Sequence, residues 1–271
     1  MTFIEKLQAA WRANDSLVCV GLDPDPARFP AHLASHADAY FEFGREIVDA
    51  TADLVCAFKP QFAHYAAAGA TGALFKTIAH IRTQHPEIPV ILDAKRGDIG
   101  STAEMYAREA FDHYHADALT VNPYLGGDTL KPFTDRKDRG VIVLCRTSNP
   151  GAGDLQDLAV SGTPVYEVVA DLAARVWNAN GNLLLVVGAT YPAELGAIRS
   201  IVGDMPILVP GVGAQGGDVA AVLKAGLDSH GAGLIVSSSR DIIYAGSGKD
   251  FAARSRAAAA ALRETINRHR H

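Results

Sequence analysis

Residues 90–102 read V-I-L-D-A-K-R-G-D-I-G-S-T. The stretch opens on Val90, Ile91 and Leu92, an apolar run of the kind that forms a strand buried on both faces of a parallel sheet. Asp93 and Lys95 follow, two positions apart. Side chains alternate across a strand, so this spacing predicts that the two opposite charges share one face. Gly97 lets the chain turn, Asp98 lies just past the strand, and Ser101-Thr102 open a helix. A single pair of such charges would read as a salt bridge closing the strand end. Three ionisable groups in one turn are costly to hold at the tip of an apolar strand, and they point to a site.

The same strand-then-helix order repeats outward from this stretch. Short β-rich runs fall at 17–23, 54–60, 89–96, 118–123, 140–148, 183–190, 206–213 and 233–240. Helix-length segments lie between and after them, at 40–51, 63–84, 101–115, 129–137, 165–180, 193–202, 216–225 and 251–268. An additional amphipathic segment at 3–14 places Ile4, Leu7, Ala10 and Trp11 on one face. Alternating strands and helices imply an α/β protein with a parallel sheet. Eight units in 271 residues, with no linker or composition break, predict a single (β/α)8 TIM barrel spanning residues 1–271, with an extra N-terminal helix. A doubly wound open sheet is the competing architecture and accounts less well for eight units.

Composition narrows the function classes. The chain is 48% hydrophobic and 20% charged with a formal net charge of −5, which favours neither nucleic-acid binding nor attraction to an anionic membrane. Any anionic substrate must then be met by a local cluster of cations. Cys19, Cys56 and Cys145 are scattered through expected strands without a C-x-x-C pair, the pattern of free thiols in a reducing compartment. No basic-flanked apolar leader and no apolar run of about 18 residues stands out. The expectation is a soluble cytoplasmic protein.

Polar residues gather where the expected strands end. Asp23 ends the first, Lys59 the second, Asp93, Lys95 and Asp98 the third, and Asn122 the fourth. Thr147-Ser148-Asn149 end the fifth, 210–217 (P-G-V-G-A-Q-G-G) the seventh, and Ser237-Ser238-Ser239-Arg240 the eighth. The carboxyl ends of barrel strands are where barrel enzymes place their chemistry, and a purely structural protein has no need of this asymmetry. Glycines after the seventh strand, the start of the following helix and the Arg240 guanidinium together predict a phosphate site. The loop 149–163 is the longest on that face, and reads equally as a lid or as a surface insertion.

With these residues in place, the chain resembles the orotidine 5′-phosphate decarboxylase family, in the bacterial branch whose motif reads D-A-K-R-G-D-I-G-S-T. The resemblance runs from the G-L-D of the first strand to the S-S-S-R of the eighth. It implies decarboxylation of orotidine 5′-monophosphate to uridine 5′-monophosphate, without metal or organic cofactor. It further implies a charged network of Lys59, Asp93, Lys95 and Asp98, with Lys95 as proton donor, and a homodimer in which Asp98 and Thr102 reach the partner's site. Asp23 and Lys59 match contacts to the ribose hydroxyls, and Ser148 a contact to the pyrimidine. Gln215 and Arg240 match the phosphate grip, Pro210 is a further substrate contact, and Arg96 is left without a role. Two other readings stay open. One is a metal-dependent phosphosugar lyase or decarboxylase of the same barrel group, its carboxylates holding Mg²⁺; a lysine between those carboxylates argues against it. The other is a nucleotide-binding barrel without catalysis, against which the intact charged network stands.

Overall fold

Every one of the eight apolar runs forms a strand, and all eight pair in parallel. The computed structural model describes residues 1–33, 35–212 and 218–270. The barrel strands are β1 (Val18–Leu22), β2 (Ala57–Pro60), β3 (Ile91–Arg96), β4 (Ala118–Val121), β5 (Gly140–Arg146), β6 (Leu183–Val187), β7 (Ile207–Pro210) and β8 (Leu234–Ser238). Their hydrogen-bonded order is β2-β1-β8-β7-β6-β5-β4-β3. Two parallel bridges, Phe58 with Val90 and Gln61 with Asp93, join the ends of that order and bring β2 against β3. The result is a (β/α)8 barrel. Strands β1, β2, β4, β6 and β8 are buried at every position, because one face fills the barrel and the other lies under the helices.

The N-terminal helix, Phe3–Ala13, decides which end of the barrel is open. Thr2 and Glu5 cap it reciprocally, and Phe3, Leu7, Ala10 and Trp11 are buried. Phe3 packs so closely on the first residue of β5 that a Cβ on Gly140 would lie 2.4 Å from its ring. The helix therefore covers the amino ends of the strands, leaving the carboxyl ends as the mouth.

Three expected helices differ in detail. The segment 63–84 is two helices, Phe62–Ala67 and Thr71–Gln84, broken where Gly69 takes a left-handed φ of +64°. The helices expected at 101–115 and 165–180 are α-helical over Gly100–Arg108 and Val165–Leu172, and each ends in a π-turn, Glu109–His113 and Ala173–Trp177. Among the described residues no helix is long and apolar enough to cross a membrane.

Candidate active site

Strand β3 does not deliver its charges by simple alternation. Its pairing with β4 shifts register between Leu92 and Arg96, and within that bulge Lys95 adopts φ +46°. That region is unfavourable for a side chain of this kind and persists only where its surroundings enforce it. Thr120 of β4 provides the enforcement. Its hydroxyl accepts the Ala94 N–H at 3.0 Å and the Lys95 N–H at 2.9 Å, and donates to Asp93 Oδ1 at 2.9 Å. One hydroxyl thus replaces the ladder bonds lost in the bulge and fixes the carboxylate beside it.

From Asp93 the charges alternate across three strands. Lys95 Nζ donates to Asp93 Oδ1 at 2.7 Å, and Lys59 Nζ, from β2, donates to Oδ2 at 2.9 Å. Gln61 adds an amide N–H to Oδ2 at 3.0 Å. On its other side Lys59 lies 4.0 Å from Asp23 Oδ1, just beyond β1. Lys59 and Asp93 are buried, at 4% and 6% exposure. Burial by itself pushes the Asp93 carboxyl up, but the Lys59 and Lys95 ammoniums outweigh it and hold Asp93 well below the usual carboxylate range. Burial likewise pulls Lys59 down, and the Asp93 and Asp23 carboxylates more than reverse it. Both groups are therefore ionised at neutral pH. Among the described residues, Asp23 Oδ1 is buried with no hydrogen-bond partner.

These groups form one wall of a cavity of about 700 Å³ at the mouth of the barrel. Thr147 and Ser148 from the end of β5, with apolar Leu144 and Val186, line it as well. Ser148 sits so near β6 that a Cβ on Gly188 would lie 2.7 Å from its Cβ and 2.9 Å from its backbone nitrogen. Pro210, Ser237, Ser238, Ser239 and Arg240 line its far side, with Asn149 and Gln156 of the loop 149–163 also on the rim. Arg240 begins the short helix Arg240–Ile243. The Tyr244 hydroxyl closes one corner, donating to the Asp23 carbonyl at 3.0 Å and accepting the Asp25 N–H at 2.6 Å. The Arg28 guanidinium lies 3.8 Å over its ring. Gln215 is outside the described residues.

Several candidate residues lie outside this cavity. Asp98 and Thr102 do not line this cavity. Asp98 accepts the Ile99 N–H at 2.8 Å, while Ile99 itself is the N-cap of the helix Gly100–Arg108, so Asp98 is not that helix's cap. Asn122 does not line the cavity either, and its side chain accepts the Tyr124 N–H. Arg96, unassigned by its motif, turns away from the mouth. It grips Glu109 through two hydrogen bonds of 2.9 and 3.0 Å between the rings of Phe62 and Tyr106. The loop 149–163 carries a 3₁₀ turn, Pro150–Asp154, and a small hairpin of Ala159–Val160 with Thr163–Pro164. Gln156 anchors it to the end of β5 by bonding Thr147 at both backbone N–H and hydroxyl.

Thr120, Gln61, Tyr244 and Arg28 escaped the sequence reading. Gln61 alone carried a local signal, standing two positions after Lys59 at the same strand end. Thr120 reads as one polar residue in the buried strand A-L-T-V, and nothing nearby in sequence names its partner.

The profile of the orotidine 5′-phosphate decarboxylase / HUMPS family matches residues 16–255. The orotidine 5′-phosphate decarboxylase of Azoarcus sp. (strain BH72) is 61% identical over 270 residues, covering 100% of both chains. The solved structure of Leishmania donovani OMP decarboxylase superposes with a TM-score of 0.87 at 41% identity, over 100% of this chain and 99% of that one. Leishmania donovani UMP synthase superposes with a TM-score of 0.89 at 42% identity, this chain spanning 57% of its length. The chain belongs to the orotidine 5′-phosphate decarboxylase family.

Proposed function

We propose that the cavity holds orotidine 5′-monophosphate with pyrimidine C6 against Lys95, and that Lys95 protonates C6 as CO2 leaves. The reaction itself follows from the family and from full-length identity to its decarboxylases: the chain is a carboxy-lyase (EC 4.1.1.23) that converts orotidine 5′-monophosphate to uridine 5′-monophosphate in pyrimidine biosynthesis. The observation that carries the residue assignment is the alternating array Asp23, Lys59, Asp93, Lys95 along one wall of the mouth.

The chemistry suits that array. When the C6–carboxylate bond breaks, its electron pair stays on C6, where no ring carbonyl delocalises it well. Without an electron sink, the charge must be met by a fixed cation and then by a proton. Lys95 offers both, held by Asp93 at 2.7 Å. Asp93, ionised and buried, stands where the substrate carboxylate would approach, a repulsion that departs with CO2. Asp23, whose Oδ1 lies 4.0 Å from the Lys59 ammonium, and Lys59 take the ribose hydroxyls. Ser148 meets the pyrimidine edge and Pro210 adds a contact. Arg240, with Gln215, grips the phosphate, whose binding energy is remote from C6 and free to organise the site.

The working unit in this reading is a cytoplasmic homodimer of single-domain chains, with Asp98 and Thr102 entering the partner's cavity. Their position outside their own cavity supports it, as do exposed Ile99, Met105, Tyr124 and Leu125 on the segments following β3 and β4. The test is the loss of orotidylate absorbance when purified protein is added in EDTA. Turnover in EDTA by the wild type, none by a folded Lys95→Ala variant, and none by Lys95→Arg would bear it out, since a guanidinium is a very poor proton donor. Loss of activity in EDTA alone would favour the metal-dependent lyase. Binding of uridine monophosphate with no turnover of orotidylate would favour a non-catalytic barrel.

A further inference from the structure

The C-terminal ends of the helices Ala39–Thr51 and Thr71–Gln84 lead toward the amino ends of β2 and β3, opposite the catalytic mouth. There Asp49, His80 and His85 converge. His80 sits one turn before the end of its helix. His85 is that helix's C-cap, and its non-helical backbone, φ −134° and ψ 56°, turns the imidazole back toward His80. Both rings aim Nε2 at the same carboxylate oxygen: His80 Nε2 lies 2.6 Å and His85 Nε2 3.0 Å from Asp49 Oδ1. The three donor atoms all fall within 4.8 Å of one another.

We infer that Asp49, His80 and His85 form a second site, for a divalent transition-metal ion of the Zn²⁺ type. Two imidazoles and a carboxylate are a donor set such ions favour. A tetrahedral ion about 2.0–2.1 Å from each donor needs the donors roughly 3.3 Å apart, a spacing reached here by small side-chain rotations, chiefly of Asp49. The imidazoles are mostly covered, at 16% and 21% exposure, while Asp49 is 47% exposed. Three ligands with one open side leave the fourth position to water. An ion there would clip the two helices together and leave the reaction at the mouth untouched. The buried Cys19, Cys56 and Cys145 offer no competing ligands in the folded chain.

The experiment uses the full chain, stripped with EDTA, dialysed, and titrated calorimetrically with ZnCl2. One ion should bind per chain. Co²⁺ in its place should give the strong visible bands of four-coordinate cobalt. At free Zn²⁺ a hundredfold above the dissociation constant, the folded-to-unfolded ratio should rise about a hundredfold, seen as a higher melting temperature. Asp49→Asn, and separately the pair His80→Gln with His85→Gln, should each weaken binding at least a hundredfold and remove most of the thermal shift, with decarboxylation unchanged. No saturable binding in the wild type, or binding unaltered in both variants, would overturn the site and leave only a hydrogen-bonded triad.

Discussion

Thr120→Val removes one oxygen and keeps the β-branched shape, so it isolates what the hydroxyl does. Thr120 is 1% exposed and its hydroxyl is saturated: one donated bond, to ionised Asp93, and two accepted, from Ala94 and Lys95. A hydrogen bond to a charged group contributes about 1.5–3 kcal/mol, and a buried amide left unpartnered costs about 1–3 kcal/mol. Both amides are only part-buried and one has room to relax once the bulge is released, so the low ends of these ranges apply and the net destabilisation is about 2.5 kcal/mol, read from urea unfolding at constant m. The kinetic effect is distinct. The two accepted bonds hold Lys95 at φ +46°, a conformation that costs about 1–3 kcal/mol; without them the backbone relaxes and the ammonium leaves the place proposed for it at C6. At about 1.36 kcal/mol per tenfold, kcat should fall roughly ten- to a hundredfold. KM should change little, because Thr120 touches neither the phosphate nor the ribose groups. Thr120→Ser, which keeps the oxygen, should recover most of both losses. A Thr120→Val protein with wild-type unfolding midpoint and kcat within about twofold would refute the reasoning.

Three other outcomes are expected. Arg240→Ala should weaken uridine monophosphate about ten- to a hundredfold, the worth of a charge-assisted phosphate contact, and leave phosphate-free uridine unaffected; equal losses for both ligands would remove Arg240 from the phosphate. Mixing Lys95→Ala and Asp98→Ala proteins, each inactive alone, should restore about a quarter of wild-type activity, since random exchange makes half the dimers mixed and each has one intact site if Asp98 acts across the interface; a mixture that stays inactive places Asp98 in its own subunit. Stability should be level from about pH 5 to 9. The depressed Asp93 contributes stability that is present above its unfolded value of about 3.9 and is lost below it; the raised Lys59 contributes stability that is present below about 10.4 and is lost above it. Lys59→Met should flatten the alkaline limb, and an unchanged limb would detach it from Lys59.

Local pattern carried the architecture. A strand buried on both faces must be apolar throughout, so the eight runs were visible, and the polar residues ending them marked the mouth before any strand was paired. Leu7, Ala10 and Trp11 announced the covering helix by period, although the structure buries Phe3 on that face and leaves the expected Ile4 only partly covered. Asp23, Lys59, Asp93, Lys95 and Arg240 stand at strand ends and needed only the barrel to be brought together. The rest depended on closure. Thr120 meets Asp93 across 27 residues and Tyr244 meets Asp23 across 221; such pairs are made by strand order and register, which leave no trace in the neighbouring residues. Alternation put Asp93 and Lys95 on one face, yet the bulge and the positive φ that place Lys95 arise from a hydroxyl on the next strand. Arg96 shows the same limit from the other side: a charge inside the motif whose partners, Glu109, Phe62 and Tyr106, were settled only when helices packed over β3.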